Sequence, residues 1–235
     1  MRTDGERMSE AWEPPTDVVE RVFGDGASGA IKFAALLADH GVERGLIGPR
    51  EVDRLWDRHL FNSAVLAEVI PRNCRAVDVG SGAGLPGIPL AIVRPDIRLT
   101  LLEPMARRVA WLKEVVDTLG LDVEVVRGRA EEPEVRRRLG GSDIVTARAV
   151  APLEKLARWC LPLLRSGGQL LALKGASAAE ELERDAAAVA KAGGSQQWVA
   201  TCGAEVLDVP TTVVVVERDE QAGRRDGGRR RRKDG

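Results

Sequence analysis

Apolar positions hold helical spacing at the start of the chain and then switch to a strand-helix alternation. From Asp17 to about His40, Val18, Val19, Val22 and Phe23, then Ile31, Phe33, Ala34, Leu36 and Leu37, recur at helical intervals on either side of Gly24-Asp25-Gly26. That pattern predicts two short helices. A loop with Gly41, Gly45, Gly48 and Pro49 leads to a third, about 50–70, whose stripe is Val52, Leu55, Trp56, Leu60, Val65, Leu66 and Val69. Pro71 ends it. From residue 75, short apolar runs at 75–80, 98–103, 122–127, 143–147 and 168–174 are each followed by a helical stretch, at 85–94, 105–119, 131–139, 152–164 and 177–192. Regular alternation of this kind predicts a parallel sheet covered by helices on both faces, with its ligand crevice beyond the carboxyl ends of the strands. The last two runs, 196–203 and 211–217, have no helix between them and are expected to pair antiparallel at the sheet edge.

The expected organisation is a disordered segment 1–16, a helical cap 17–71, an α/β ligand-binding domain 72–217 and a disordered tail 218–235. The tail carries eight Arg and Lys against four Asp and Glu, whereas the whole 235-residue chain has a formal charge of -1. A basic tail suits a polyanionic partner but equally suits a solubilising terminus. No apolar run approaches membrane-spanning length, and the acidic N-terminus lacks the apolar stretch of a secretion signal. The three cysteines, Cys74, Cys160 and Cys202, are far apart, so neither a disulfide framework nor a metal knuckle is expected. With His40 and His59 the only imidazoles, a protein-bound metal is not expected either. A cytoplasmic monomer is the expectation.

The chemistry concentrates in Arg75-Ala-Val-Asp-Val-Gly-Ser-Gly-Ala-Gly-Leu-Pro-Gly-Ile-Pro89, a strand entering a glycine-rich turn and then a helix. Gly80, Gly82 and Gly84 allow positive φ and the close approach of a ligand to backbone N–H groups. Gly82-x-Gly84-x-x-Gly87 with Glu103 also satisfies the dinucleotide fingerprint, which leaves NAD and S-adenosyl-L-methionine both open. Asp78, inside the strand, can orient the glycine loop or meet a cationic amino group. S-adenosylmethionine carries such a group, whereas a pyrophosphate would be repelled. Glu103, at the end of the second strand, can accept from ribose hydroxyls of either cofactor. Arg129-Ala-Glu-Glu132, after the third strand, is placed to read an adenine edge, or simply to put negative charge on a first helical turn.

The runs at 78–89, Leu-Leu-Glu at 101–103 with Arg107-Arg108-Val109, Arg-Ala-Glu-Glu at 129–132, Arg148-Ala-Val and Leu173-Lys-Gly175 together resemble the bacterial small-subunit ribosomal RNA guanine-N7 methyltransferases, also called glucose-inhibited division protein B. Arg58-His-Leu-Phe-Asn-Ser63 resembles that family's Arg-His-x-x-Asp-Ser box, with Asn62 in place of the Asp, and Thr211-Thr212 stands where a basic pair is common. The resemblance covers roughly residues 50–217. It implies a class I, Rossmann-like methyltransferase sheet of seven strands, mostly parallel with the last antiparallel, and an enzyme that methylates N7 of a guanine in 16S ribosomal RNA. It also places S-adenosylmethionine against Gly80, Leu85, Ala130, Glu131 and Arg148. Gly82 and Gly84 join them from the glycine-turn argument, and Asp78 and Glu103 from the strand-end argument. Arg148 is the candidate for positioning the reacting groups, since N7 has a lone pair and no proton and needs no general base.

Arg58, His59, Ser63 and Lys174 are candidate RNA contacts, the partner being 16S RNA or the small ribosomal subunit. For His59 a structural hydrogen bond is the competing reading; for Lys174, a solvated lysine. Trp56, Trp111 and Trp159 sit at core-compatible helical positions and read as packing, while Trp12 and Trp198 are undecided. A methyltransferase with another RNA or a small molecule as acceptor, an NAD-dependent oxidoreductase and a non-catalytic RNA-binding protein are the alternatives.

Overall fold

A computed structural model describes residues 15–148 and 151–220. Of the segments expected to be disordered, 1–16 and 218–235, residues 1–14 with Trp12 and residues 221–235 lie outside the described residues, whereas Thr16 opens a helix and Arg218 ends a strand. The described residues open with α1 (Thr16–Phe23), a tight turn Gly24–Gly26 and α2 (Ala27–His40). Val19, Phe23, Ala30, Phe33, Ala34 and Leu37 are the buried positions, the stripe that the helical spacing demands.

The expected third helix is not one α-helix. Residues 49–69 wind continuously but change pitch: a 3-10 stretch Pro49–Arg54, a π turn Leu55–Leu60, one α turn, α3 (Phe61–Ala64), and a second 3-10 stretch Val65–Val69. Apolar spacing finds the buried face but is too coarse to distinguish these pitches, and π turns concentrate at functional sites.

The sheet comprises β1 (Arg75–Val79), β2 (Arg98–Glu103), β3 (Glu124–Arg127), β4 (Ser142–Arg148), β5 (Leu164–Lys174), β6 (Gly194–Cys202) and β7 (Thr211–Arg218), in the order β3-β2-β1-β4-β5-β7-β6. The first five run parallel; β7 inserts antiparallel between β5 and β6. The helices between are α4 (Gly87–Val93), α5 (Ala106–Leu119), α6 (Pro133–Leu139), α7 (Leu153–Cys160) and α8 (Ala178–Lys191). Strand alternation sorts the two faces. Ala76, Leu99, Leu101, Ile144 and Leu171 pack with the N-terminal helices, α4 and α5, while Val77, Val79, Leu102, Val145 and Leu170 pack with α6, α7 and α8.

Asp78 falls on the first of these faces, in register with Thr146 of β4. Beneath it α4 approaches so closely that a Cβ on Gly87 would stand 2.2 Å from Leu101 Cδ2 and 2.9 Å from Asp78 Oδ2. Gly87→Ala is therefore expected to lower unfolding free energy by about 1–3 kcal/mol through overpacking alone. Urea unfolding at pH 7 measures it, and an unchanged midpoint would show that α4 can slide away.

Chain reversal between β1 and β4 leaves a crevice above their carboxyl ends, the switch point where open α/β sheets take ligands. Among the described residues no helix is long and apolar enough to cross a membrane, and no group of His, Cys, Asp and Glu is arranged to hold a metal.

Candidate active site

A cavity of about 700 Å³ opens at that switch point. Its floor is the glycine loop, where Gly80, Gly82 and Gly84 have φ of 72°, 57° and 103°. The left-handed values carry the chain sharply from β1 toward α4 and leave backbone facing the opening. A Cβ on Gly82 would contact Gly80 O at 3.6 Å and Arg108 Nη1 at 3.9 Å, both parts of the cavity wall. Gly80, Ser81, Gly82, Leu85, Glu103, Ala130, Glu131 and Arg148 all line the cavity. Asp78 and Gly84 support the loop from beneath and are not among its lining residues.

Two buried carboxylates shape the loop. Glu103, 1% exposed, accepts from Gly82 N–H at 3.0 Å through one oxygen and from Met105 N–H at 2.9 Å through the other. Each oxygen keeps a lone pair for a ligand hydroxyl. Asp78, fully buried, accepts from Gly87 N–H at 3.2 Å and from Thr146 Oγ1 at 2.8 Å, so it orients the loop, the first of its two expected roles. Burial pushes its carboxyl up to about 6, against the lowering effect of the groups that donate to it. Trp111 adds a third brace, donating its indole N–H to Ala83 O at 2.9 Å with Arg44 stacked 5.2 Å above its ring.

At the opposite wall the N-terminal helices meet β4. Arg148 donates from Nη1 to His59 O and Ser63 Oγ, both at 3.3 Å, and from Nη2 to Arg58 O at 3.0 Å and to His59 Nδ1. The Arg58-His59-Ser63 box thus meets Arg148 rather than standing apart from it. Arg58 and Ser63 are not among the cavity-lining residues, whereas His59 and Arg148 are. Burial, then Arg58 nearby, pulls the Arg148 guanidinium down to about 10, which still leaves it charged at neutral pH. Glu51, which no sequence pattern singled out, completes the cluster at 2.7 Å from His59 Nε2.

Two expectations are altered by this geometry. Lys174 lies outside the cavity, its ammonium bonded to Glu181 Oε1 at 2.9 Å and Ala151 O at 3.1 Å, so it is neither a solvated lysine nor free to meet a phosphate as placed. Trp159, read from helical spacing as packing, does pack against the core and, half-buried, also lines the cavity. The two departures from the family pattern also meet: Thr211 Oγ1 donates to Asn62 Oδ1 at 2.9 Å. A neutral acceptor faces a neutral donor, so each departure suits the other. Met105, which no motif marks, lines the cavity, as do Arg108 and Arg129 of the 107–109 and 129–132 motifs. Met105 lies two residues beyond Glu103, the only trace of it in the sequence.

A family model described as rRNA small subunit methyltransferase G matches residues 27–209. "Ribosomal RNA small subunit methyltransferase G" of Corynebacterium jeikeium is 57% identical over 206 residues, covering 88% of this chain and 92% of that protein. The protein of the same name from Rhodococcus jostii is 58% identical over 198 residues, 84% of this chain and 87% of its own length. Among solved structures, an S-adenosylmethionine-dependent methyltransferase from Aquifex aeolicus superposes with a TM-score of 0.52 at 18% identity, covering 76% of this chain and 97% of that one. Aeropyrum pernix fibrillarin, solved with natively bound S-adenosyl-L-methionine, gives 0.51 at 21% identity, covering 68% and 74%. These two structures share the class I methyltransferase sheet.

Proposed function

Because this chain belongs to the rRNA small subunit methyltransferase G family, we propose that it methylates N7 of a guanine in 16S ribosomal RNA, with S-adenosyl-L-methionine as methyl donor. The observation that carries the reading is the glycine-floored cavity above β1 and β4, with an acidic wall on one side and the Arg148 cluster on the other. S-adenosylmethionine supplies an electrophilic methyl on a positively charged sulfur.

The residues present fit that group. The Gly80–Gly82 segment lines the cavity with no side chain larger than that of Ser81, its N–H groups already bonded to Leu102 O and Glu103. Glu103 has spare lone pairs for ribose hydroxyls, and Ala130 with Glu131 forms the wall after β3 where an adenine edge would be read. Glu51, Glu103 and Glu131 line the cavity together with Arg108, Arg129 and Arg148, so carboxylates and guanidiniums are balanced there and the lining can face both the cationic and the carboxylate end of S-adenosylmethionine. Arg148 would hold the acceptor side in place. Guanine N7 attacks with a lone pair and sheds no proton, so the chain has to supply positioning rather than a base. His59 accords with this, since its Nδ1 faces Arg148 and its Nε2 faces Glu51.

Transfer of labelled methyl to 16S RNA, offered naked and as assembled small subunits, tests the reading. Incorporation is expected at a guanine, with strand scission there after reduction and aniline treatment, the signature of 7-methylguanosine. RNA in which guanosine is replaced by 7-deazaguanosine has a carbon at that position and is expected to accept nothing. Equal incorporation into both RNAs would move the target off N7, and binding of NAD in preference to S-adenosylmethionine in a calorimetric titration would overturn the cofactor.

A further inference from the structure

The guanidinium of Arg148 is held almost wholly by the N-terminal helices. Its four Nη hydrogens are matched by four acceptors: Arg58 O, His59 O, Ser63 Oγ and His59 Nδ1. The first two are carbonyls of the π turn Leu55–Leu60. The imidazole is the acceptor whose competence depends on its protonation. Arg148 can only donate, so Nδ1 must carry the lone pair and the ring proton must sit on Nε2. Glu51 Oε2, 2.7 Å from Nε2, is the acceptor that selects this tautomer. Its other contact, to Arg58 Nη1 at 3.4 Å with the Arg58 side chain half-exposed, is a surface pair of small consequence.

We propose that Glu51 is a positioning residue for methyl transfer: it pins His59 as the Nε2–H tautomer, and His59 then holds the Arg148 fork at the cavity wall. The role rests on the methyltransferase reading, but the chain of contacts it invokes exists in the free protein. Without the carboxylate Nε2–H is left with solvent as its acceptor, the preference for the Nε2–H tautomer rests on Arg148 alone, and each excursion to the Nδ1–H form places a donor against a donor. Arg148 would then lose an acceptor and lean away, and misplacements of about 1 Å at a reacting centre cost about a hundredfold in rate.

The chain's two histidines make the tautomer directly readable. Full-length protein labelled with ¹⁵N-histidine, with His40 assigned through a His40→Gln variant, is expected to show a neutral His59 ring protonated on Nε2. In Glu51→Ala the ring is expected to populate both tautomers, kcat to fall about tenfold to a hundredfold and the KM for S-adenosylmethionine to move less than about threefold. Glu51→Gln, whose amide oxygen still accepts from Nε2–H, is expected to keep the tautomer and restore kcat to within about threefold of wild type. Should the alanine variant unfold, Glu51→Leu gives the same comparison. A wild-type kcat in Glu51→Ala, or a lost kcat with His59 still protonated on Nε2, overturns the role. If wild-type protein transfers no methyl to RNA, the functional reading fails on its own while the spectra still decide whether Glu51 sets the tautomer.

Discussion

Asp78→Ala is expected to lower affinity for S-adenosylmethionine by at least about tenfold while leaving global stability within about 2 kcal/mol of wild type. The two effects separate because the carboxylate does two opposed things. Its pKa, raised to about 6 from 3.8, means that the ionised form at pH 7 costs roughly 3 kcal/mol of folding free energy, which truncation returns. Against this, Gly87 N–H and Thr146 Oγ–H lose their acceptor in a fully buried place, at about 1–3 kcal/mol each. The sums nearly cancel, so the lasting loss is the fixed path of the chain from β1 through the glycine turn to α4. Calorimetric titration alongside urea unfolding reads both quantities. Tight binding in the alanine variant would mean that Glu103 and Trp111 hold the loop without Asp78.

The same carboxylate gives a pH signature. A raised acid pKa means that the native chain binds the proton more tightly than the unfolded chain. Asp78 therefore favours folding below about pH 4, and that contribution is lost as pH rises through about 6. Asp78→Asn keeps the shape: its amide oxygen can accept from Gly87 N–H and its amide N–H can donate to Thr146 Oγ1. Wild-type stability relative to this variant is expected to drop by about 3 kcal/mol between pH 4 and pH 7.

Much of this loop was legible in the sequence, because its parts obey local rules. Glycine at 80, 82 and 84 is demanded by left-handed φ, the acid ending the second strand accepts from the turn's Gly82 N–H, and short apolar runs locate the strands. Strand register was not legible, so the pairing of Asp78 with Thr146 could not be anticipated, although a Thr among the buried apolar positions of β4 was its trace. The pitch changes of 49–69 bring Glu51 beside His59 eight residues on, and the bonds from Arg148 that hold this stretch to β4 reach across nearly a hundred residues of sequence. Lys174 looked free because its partner Glu181 is one of several acids on an exposed-looking helix, and only the fold shows which acid turns inward. Trp159 fitted a buried stripe, but a residue at the edge of such a stripe can face a cavity as readily as a core.

Arg148→Ala is expected to reduce kcat/KM for RNA methylation by about a hundredfold to a thousandfold, the size of effect that follows when a preorganised charge is removed from a reacting centre. Three consequences combine. The cavity loses a cation that remains charged at neutral pH beside Glu51 and the glycine floor. The carbonyls of Arg58 and His59 lose a donor, which loosens the π turn that forms the cavity's far wall. His59 Nδ1 loses the donor it faces. Lysine separates charge from shape: an ammonium keeps the positive charge but cannot span two carbonyls, a hydroxyl and a ring nitrogen with a planar fork. Arg148→Lys is therefore expected to recover less than about a tenth of the lost rate, and S-adenosylmethionine titrations of both variants will show how much of the loss lies in cofactor binding. If lysine restored full turnover, charge alone would suffice and the four-acceptor clamp would be incidental. If alanine left kcat/KM within about threefold of wild type, neither the charge nor the clamp would serve methyl transfer, and the contact between the N-terminal helices and β4 would be purely structural.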